Sequence, residues 1–96
     1  MSISTARGTL SYLRVHERGT KYGPPGDELD AEVIVKVTGG DDAYGFQLRA
    51  DANLPVREAM LTLLREAFTA RRPVLIDYVD NPGHHNLRIY RVILLA

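Results

Sequence analysis

Apolar and polar residues alternate most cleanly between Ala31 and Thr38. Ala31, Val33, Val35 and Val37 share one face, while Glu32, Ile34, Lys36 and Thr38 share the other. A period of two predicts a half-buried strand. Gly39-Gly40-Asp41-Asp42 then reads as a turn. Beyond it Tyr44, Phe46 and Leu48 alternate against Gln47 and Arg49, which predicts a hairpin with Glu32, Lys36, Gln47 and Arg49 on its outer face. Upstream, Gly8 to His16 is apolar in two phases, Leu10 and Tyr12 and then Leu13 and Val15. A change of phase implies a bulge or a sharp bend. Residues 1–6 are small and polar and predict a frayed end. Between Glu17 and Asp30 the segment Tyr22-Gly23-Pro24-Pro25-Gly26 marks a long loop, because such a proline pair has no place in a central strand.

The period changes to 3.6 after Leu54. Val56, Ala59, Met60, Leu63, Leu64, Ala67 and Phe68 make one helical stripe, and Leu61 lies at its edge. Asp51 or Asn53 is placed to cap this helix, Pro55 suits its first turn, and Arg71-Arg72-Pro73 ends it. Val74 to Val79 reads as a strand, Asn81-Pro82-Gly83 as a turn, and Asn86 to Leu95 as the last strand. In that last strand Leu87, Ile89, Ile93 and Leu95 share one phase, and Tyr90, Val92 and Leu94 the other. A strand apolar on both faces is expected to be covered on both. Tyr90, Val92, Leu94 and Leu61 are therefore the candidate contacts with a second copy of the chain.

The predicted order is β-β-β-α-β-β, all-β with one helix. This is the chain order of the OB-fold, a five-stranded barrel that binds oligosaccharides or single-stranded nucleic acids. A length of 96 residues predicts one domain over 1–96.

Composition narrows the chemistry. There is no cysteine, so disulfides, thiolate catalysis and cysteine-based zinc sites are excluded. Twelve basic residues balance twelve acidic ones, which disfavours a nucleic-acid partner. No apolar run reaches the ~20 residues of a membrane-crossing helix, so no membrane insertion is expected. The opening Met1-Ser2-Ile3-Ser4-Thr5 lacks the charged-then-apolar plan of a secretory leader. The expected compartment is the cytoplasm if this N-terminus is native, and the exterior if a leader was removed.

The stretch from the helix at Arg57 through Phe68, the link Thr69-Ala70-Arg71-Arg72-Pro73 and the strand Val74-Leu75-Ile76-Asp77-Tyr78 resembles the equivalent region of pentameric B subunits of bacterial AB-type toxins, in their subtilase- and pertussis-like branch. The resemblance covers about residues 54–96. It implies an OB-fold, a homo-oligomeric ring of five, a cell-surface glycan as ligand and a catalytic partner chain. No sugar-contacting residue transfers position by position.

Candidate ligand residues come from the expected binding face and its loops. Arg18, Lys21, Lys36 and Arg49 supply charge, Gln47 hydrogen bonds, and Tyr22 a stacking surface. His84 and His85 lie in the turn beside that face. Adjacent residues of an extended chain point apart, so this pair chelates poorly; His16 and Asp80 complete a metal site only if the fold gathers them. The pair suits hydrogen bonding to a ligand without metal. Asp27-Glu28 and Asp41-Asp42 read as solvated turn charges. No nucleophile motif and no phosphate loop is present, so no enzyme activity, metal or cofactor is expected. The expected function is a ligand-binding subunit, glycan-directed by resemblance. A single-stranded nucleic-acid binder and an assembly scaffold are the alternatives.

Overall fold

The computed structural model describes residues 2–96. Its elements are β1 (Ile3–Gly8), β2 (Leu10–Val15), β3 (Val33–Val37), β4 (Ala43–Phe46), α1 (Leu54–Ala70), β5 (Val74–Val79) and β6 (Asn86–Leu94). The fold is mostly β with a single helix. Six strands, not the expected five, form one sheet in the order β1-β5-β6-β4-β3-β2. β1 and β2 stand at its two ends, so strand pairing does not close it.

The additional strand falls in the segment expected to fray, of which Met1 lies outside the described residues. β1 runs antiparallel to β5, with Ile3 opposite Val79 and Gly8 opposite Val74. Its sequence lacks an apolar alternation, and it is a strand because β5 offers a ladder to complete. Gly8 ends it with φ +153°, and a Cβ there would stand 2.7 Å from Val37 Cγ1. After Thr9 the chain continues as β2 against β3, and Thr38 N–H donates to the Thr9 carbonyl at 2.9 Å. The expected irregularity is present: the β2–β3 register shifts between Leu10 and Tyr12.

The same device explains β6, and it corrects the sequence reading there. The β5–β6 register shifts so that Asp77 faces Arg91 while Tyr78 faces Ile89, leaving Tyr90 as the extra residue. A one-residue bulge flips every later side chain to the opposite face. Leu87 and Ile89 point inward before it, and Val92 points inward after it. Two apolar phases are thus one buried face. Val92 belongs to the chain's own core, and Leu94 and Leu61 pack against that core; only Tyr90 of the four candidate contacts is exposed.

The core joins Val33, Val35 and Val37 of β3, Tyr44 and Phe46 of β4, Val74 and Ile76 of β5, and Leu64 and Ala67 of α1. α1 buries a narrower line than its apolar stripe suggests, since Val56 and Phe68 are exposed. No side chain caps its start in the usual way. Asn53 sits at the N-cap position without a capping bond. Asp51 instead accepts from the Asn53 N–H at 2.8 Å and from Arg57 at 2.7 Å. Arg71 ends the helix in the left-handed conformation, φ +53°.

The outer face of β3 is not half-exposed, as its alternation predicts. Residues 16–32 fold back over it as a strap. Tyr22 and Leu29 exchange backbone hydrogen bonds of 3.1 and 2.7 Å. Their side chains, with Tyr12, close over a second apolar cluster of Ala31, Ile34 and Ala43. Gly45 makes room for this contact, because a Cβ there would meet Val33 O at 2.5 Å, Ile34 Cδ1 at 2.7 Å and Leu29 Cδ2 at 3.0 Å.

Candidate functional site

Three connections meet beside the start of β6: the strap, the β3–β4 turn and the β5–β6 turn. Asp27 of the strap ties the first to the third. Its carboxylate accepts from the His85 N–H at 2.8 Å and the Asn86 N–H at 3.2 Å, and lies 3.2 Å from His84 Nδ1. The Asn86 side chain donates to the Asp27 carbonyl at 2.7 Å. Gly23 lies so close to Asp27 and Asn86 that no side chain fits there. The His85 N–H above all, with the Asn86 groups, holds the Asp27 carboxyl below the ordinary carboxylate range against the opposing effect of burial.

The β3–β4 turn is held by two bonds. Ala43 N–H donates to the His85 carbonyl at 2.8 Å, and His85 Nδ1 lies 2.8 Å from Asp42 Oδ1. Asp42 raises the His85 imidazole above its ordinary value, aided by the charges of Asp27 and Asp41. A group whose pKa is raised on folding adds stability that is complete below its unfolded value and is lost as pH rises through the folded one. Stability is therefore expected to fall as pH climbs from about 6.5 through the raised His85 value. Asp42→Asn is expected to flatten this slope in urea melts run at successive pH values. A slope unchanged in that variant would contradict the assignment.

Between these turns opens a cleft of about 440 Å³, lined by Ser2, Asp42, Tyr78, Asp80, Asn81, Pro82, Gly83, His84 and Leu87. The turn beneath it is closed by the His84 N–H donating to the Asn81 carbonyl at 3.0 Å, with Gly83 at φ +83°. Asp80 N–H donates to the Ser2 carbonyl at 3.0 Å, which brings the N-terminal segment to the rim. Tyr78 packs against Tyr44 at a tilt of 47°, ring centroids 5.0 Å apart. Burial first, then Asp42 and Tyr78, push the Tyr44 phenol up to about 12, so it stays neutral.

The structure divides the sequence-derived candidates into three groups. His84 lines the cleft, and His85 stands behind it on Asp42, which also lines it. Tyr22 turns toward the apolar cluster beneath the strap, with the Arg14 guanidinium 5.4 Å from its ring. Lys36 lies 5.3 Å over Tyr12 on the same face, while Arg18 and Lys21 are exposed. Gln47 and Arg49 are committed to internal contacts. Gln47 donates to the Asp30 carbonyl at 3.1 Å, and Arg49 bridges Asp30 at 2.5 Å and Glu32 at 2.9 Å. Burial pushes Glu32 up, but Arg49 and the Leu48 N–H hold its carboxyl below the ordinary range.

Among the described residues no cluster of three His, Asp or Glu side chains is placed to hold a metal. Both ring nitrogens of His16 are buried without a hydrogen-bond partner. The reasoning from sequence missed Asp27, Asp42, Tyr78 and Asn81 as parts of a site. Asp27 and Asp42 read as solvated turn charges, yet each is half-buried and anchors a histidine. The one local signal was the neighbouring pair His84-His85, with Asp80 shortly before it.

Comparison with protein-family models, curated proteins and solved structures returns no match to the chain.

Proposed function

We propose that this chain is a non-enzymatic binding module of the OB type, and that the cleft between the β3–β4 and β5–β6 turns takes a neutral glycan. The topology supports the fold assignment. If β1 and β2 are the two halves of one strand bent at Gly8-Thr9, the first half pairs with β5 and the second with β3. The chain order then reduces to β-β-β-α-β-β, and the β4–β6 pair is parallel. The strap and the β5–β6 turn then correspond to the two loops that flank the ligand face in such barrels.

The observation that carries the functional reading is the lining of the cleft. Its volume lies within the roughly 300–1,000 Å³ of small-ligand sites. Asp42, Asp80, Asn81, His84 and Tyr78 offer hydrogen bonds and an aromatic wall, and no lysine or arginine lines it. A phosphate backbone is held by cations, so a polynucleotide finds nothing here to neutralise it. A polyhydroxyl ligand finds matched partners. The resemblance to toxin B subunits favours the same ligand class.

A glycan array probed with the full chain tests this. Signal on uncharged glycans that disappears in Asp80→Ala and Asn81→Ala is expected. A blank array, or oligonucleotide binding that falls steeply with salt, would refute the reading. Assembly of several copies remains part of the proposal, on a surface that keeps Tyr90 of the contacts the sequence suggested and adds exposed residues of α1. Four of the six exposed large apolar residues (Val56, Phe68, Tyr90 and Ile93) lie on α1 or β6. Val56, Ala59, Met60, Leu63, Tyr90, Arg91 and Val92 line a groove of about 400 Å³ there. Light scattering at micromolar concentration is expected to give a multiple of the 10.7 kDa chain mass.

A further inference from the structure

His84 and His85 are each held by a carboxylate at Nδ1, and for His84, which lines the cleft, this fixes what it offers a ligand. His84 Nδ1 lies 3.2 Å from Asp27 Oδ1, and His85 Nδ1 lies 2.8 Å from Asp42 Oδ1. Asp27 already accepts two backbone N–H groups, and an ionised carboxylate can only accept. The proton of the His84–Asp27 contact must therefore sit on Nδ1. In a neutral imidazole the other nitrogen is then an acceptor. His84 Nε2 makes no hydrogen bond within the described residues, and its side chain is about one-third exposed at the cleft. Beside it stand two carboxylates with spare acceptor capacity. Asp42 uses Oδ1 for His85, while the Asp80 side chain bonds to nothing among the described residues.

We infer that Asp27 is a positioning residue which holds His84 in the Nδ1–H form, so that His84 Nε2, Asp42 and Asp80 make an acceptor subsite for adjacent hydroxyl groups of an uncharged sugar. This rests on the reading of the cleft as a glycan site and sharpens it. Neighbouring sugar hydroxyls donate to the three acceptors. A sugar acid is rejected, because its carboxylate meets two further carboxylates and a lone pair with no cation in the lining. The strap thus acts on specificity without touching the ligand. Asp27 reaches the cleft only through His84.

The test begins with the unmodified full chain at pH 7.5. Imidazole ¹⁵N spectra separate the Nδ1–H form, the Nε2–H form and the cation. The expected spectrum shows Nδ1–H for His84. Asp27→Ala is expected to release the ring toward the Nε2–H form that free imidazole side chains favour. Loss of the oriented acceptor is also expected to weaken binding of methyl α-glucopyranoside by about tenfold, the weight of one hydrogen bond. Methyl α-glucuronide, which differs only in its carboxylate, is expected to bind at least about tenfold more weakly than the neutral glycoside. An Nε2–H or cationic His84 in the unmodified chain overturns the inference, whatever the variant does. Equal or tighter binding of the glucuronide overturns it as well. An Nδ1–H ring with no response to any glycoside refutes the glycan reading instead and leaves the acceptor geometry of His84 standing.

Discussion

Replacing Leu64 by alanine is expected to lower the unfolding free energy by about 3 kcal/mol, within the range for a fully buried leucine. Leu64 is the largest side chain that α1 buries completely, and it enters the core formed by β3, β4, β5 and β6. The helix makes its packing contacts with β2, at one end of the sheet, and with β6, in its interior, so it bridges two strands that are not neighbours. A cavity at Leu64 weakens that bridge, and the exposed stripe of Val56 and Ala59 offers no compensation. For a domain of this size the loss corresponds to a melting point lower by about 15 °C. Thermal and urea melts of Leu64→Ala measure it. A loss under about 1 kcal/mol would show that α1 is loosely docked.

The second large effect is expected at Gly45. A methyl group there would stand 2.5 Å from the Val33 carbonyl, which is backbone of the neighbouring strand and cannot swing aside. It would also press on Ile34 and Leu29, the contact that seats the strap. Overpacking of this kind costs about 1–3 kcal/mol, and a backbone neighbour places Gly45→Ala at the upper end. The distinctive consequence is local. The amides of Tyr22 and Leu29, bonded to each other across the strap, are expected to exchange with solvent faster in Gly45→Ala than the amides of β5. Uniform acceleration across the chain would mean that the strap is not seated through Gly45. Because Asp27 belongs to the strap, the same variant is expected to weaken the cleft.

Much of this fold was legible in the residues, and the failures share a cause. Val74–Val79 is apolar but for Asp77 between Pro73 and the Asn81 turn, and it is a strand over that span. The helix was legible from its 3.6 period, although its burial was not, because a stripe does not reveal how much of itself the sheet covers. A change of phase announced the bulge in β2. An equivalent change at Tyr90 in β6 suggested instead a strand covered on both faces. Phase alone cannot separate these cases, since only the partner strand's register tells a bulge from two-sided burial. β1 was illegible for a different reason. Ser4, Thr5 and Ala6 carry little strand signal, and β5 induces the strand by pairing with it.

The site was legible in outline only. His84 and His85 were marked by composition. Asp27 was not, because its partners lie 57 to 59 residues away and a turn acid looks the same whether solvated or latched. The basic residues near the first loop drew attention to the outer sheet face, and there the strap itself occupies the space. Net neutrality at the level of the chain also concealed a local fact. The cleft carries acids and no lysine or arginine, which points toward uncharged ligands more directly than the overall balance does.

The central claim is that the cleft beside the β5–β6 turn is where this chain binds, and that its ligand is a neutral sugar. Amide chemical-shift mapping of the full chain during titration with an uncharged oligosaccharide tests it most directly. Perturbations concentrated at Tyr78, Asn81, His84 and Leu87, and weakened in Asp80→Ala, are the predicted result. Perturbations centred instead on Lys21, Tyr22 and Lys36, or none at saturating ligand, would contradict it.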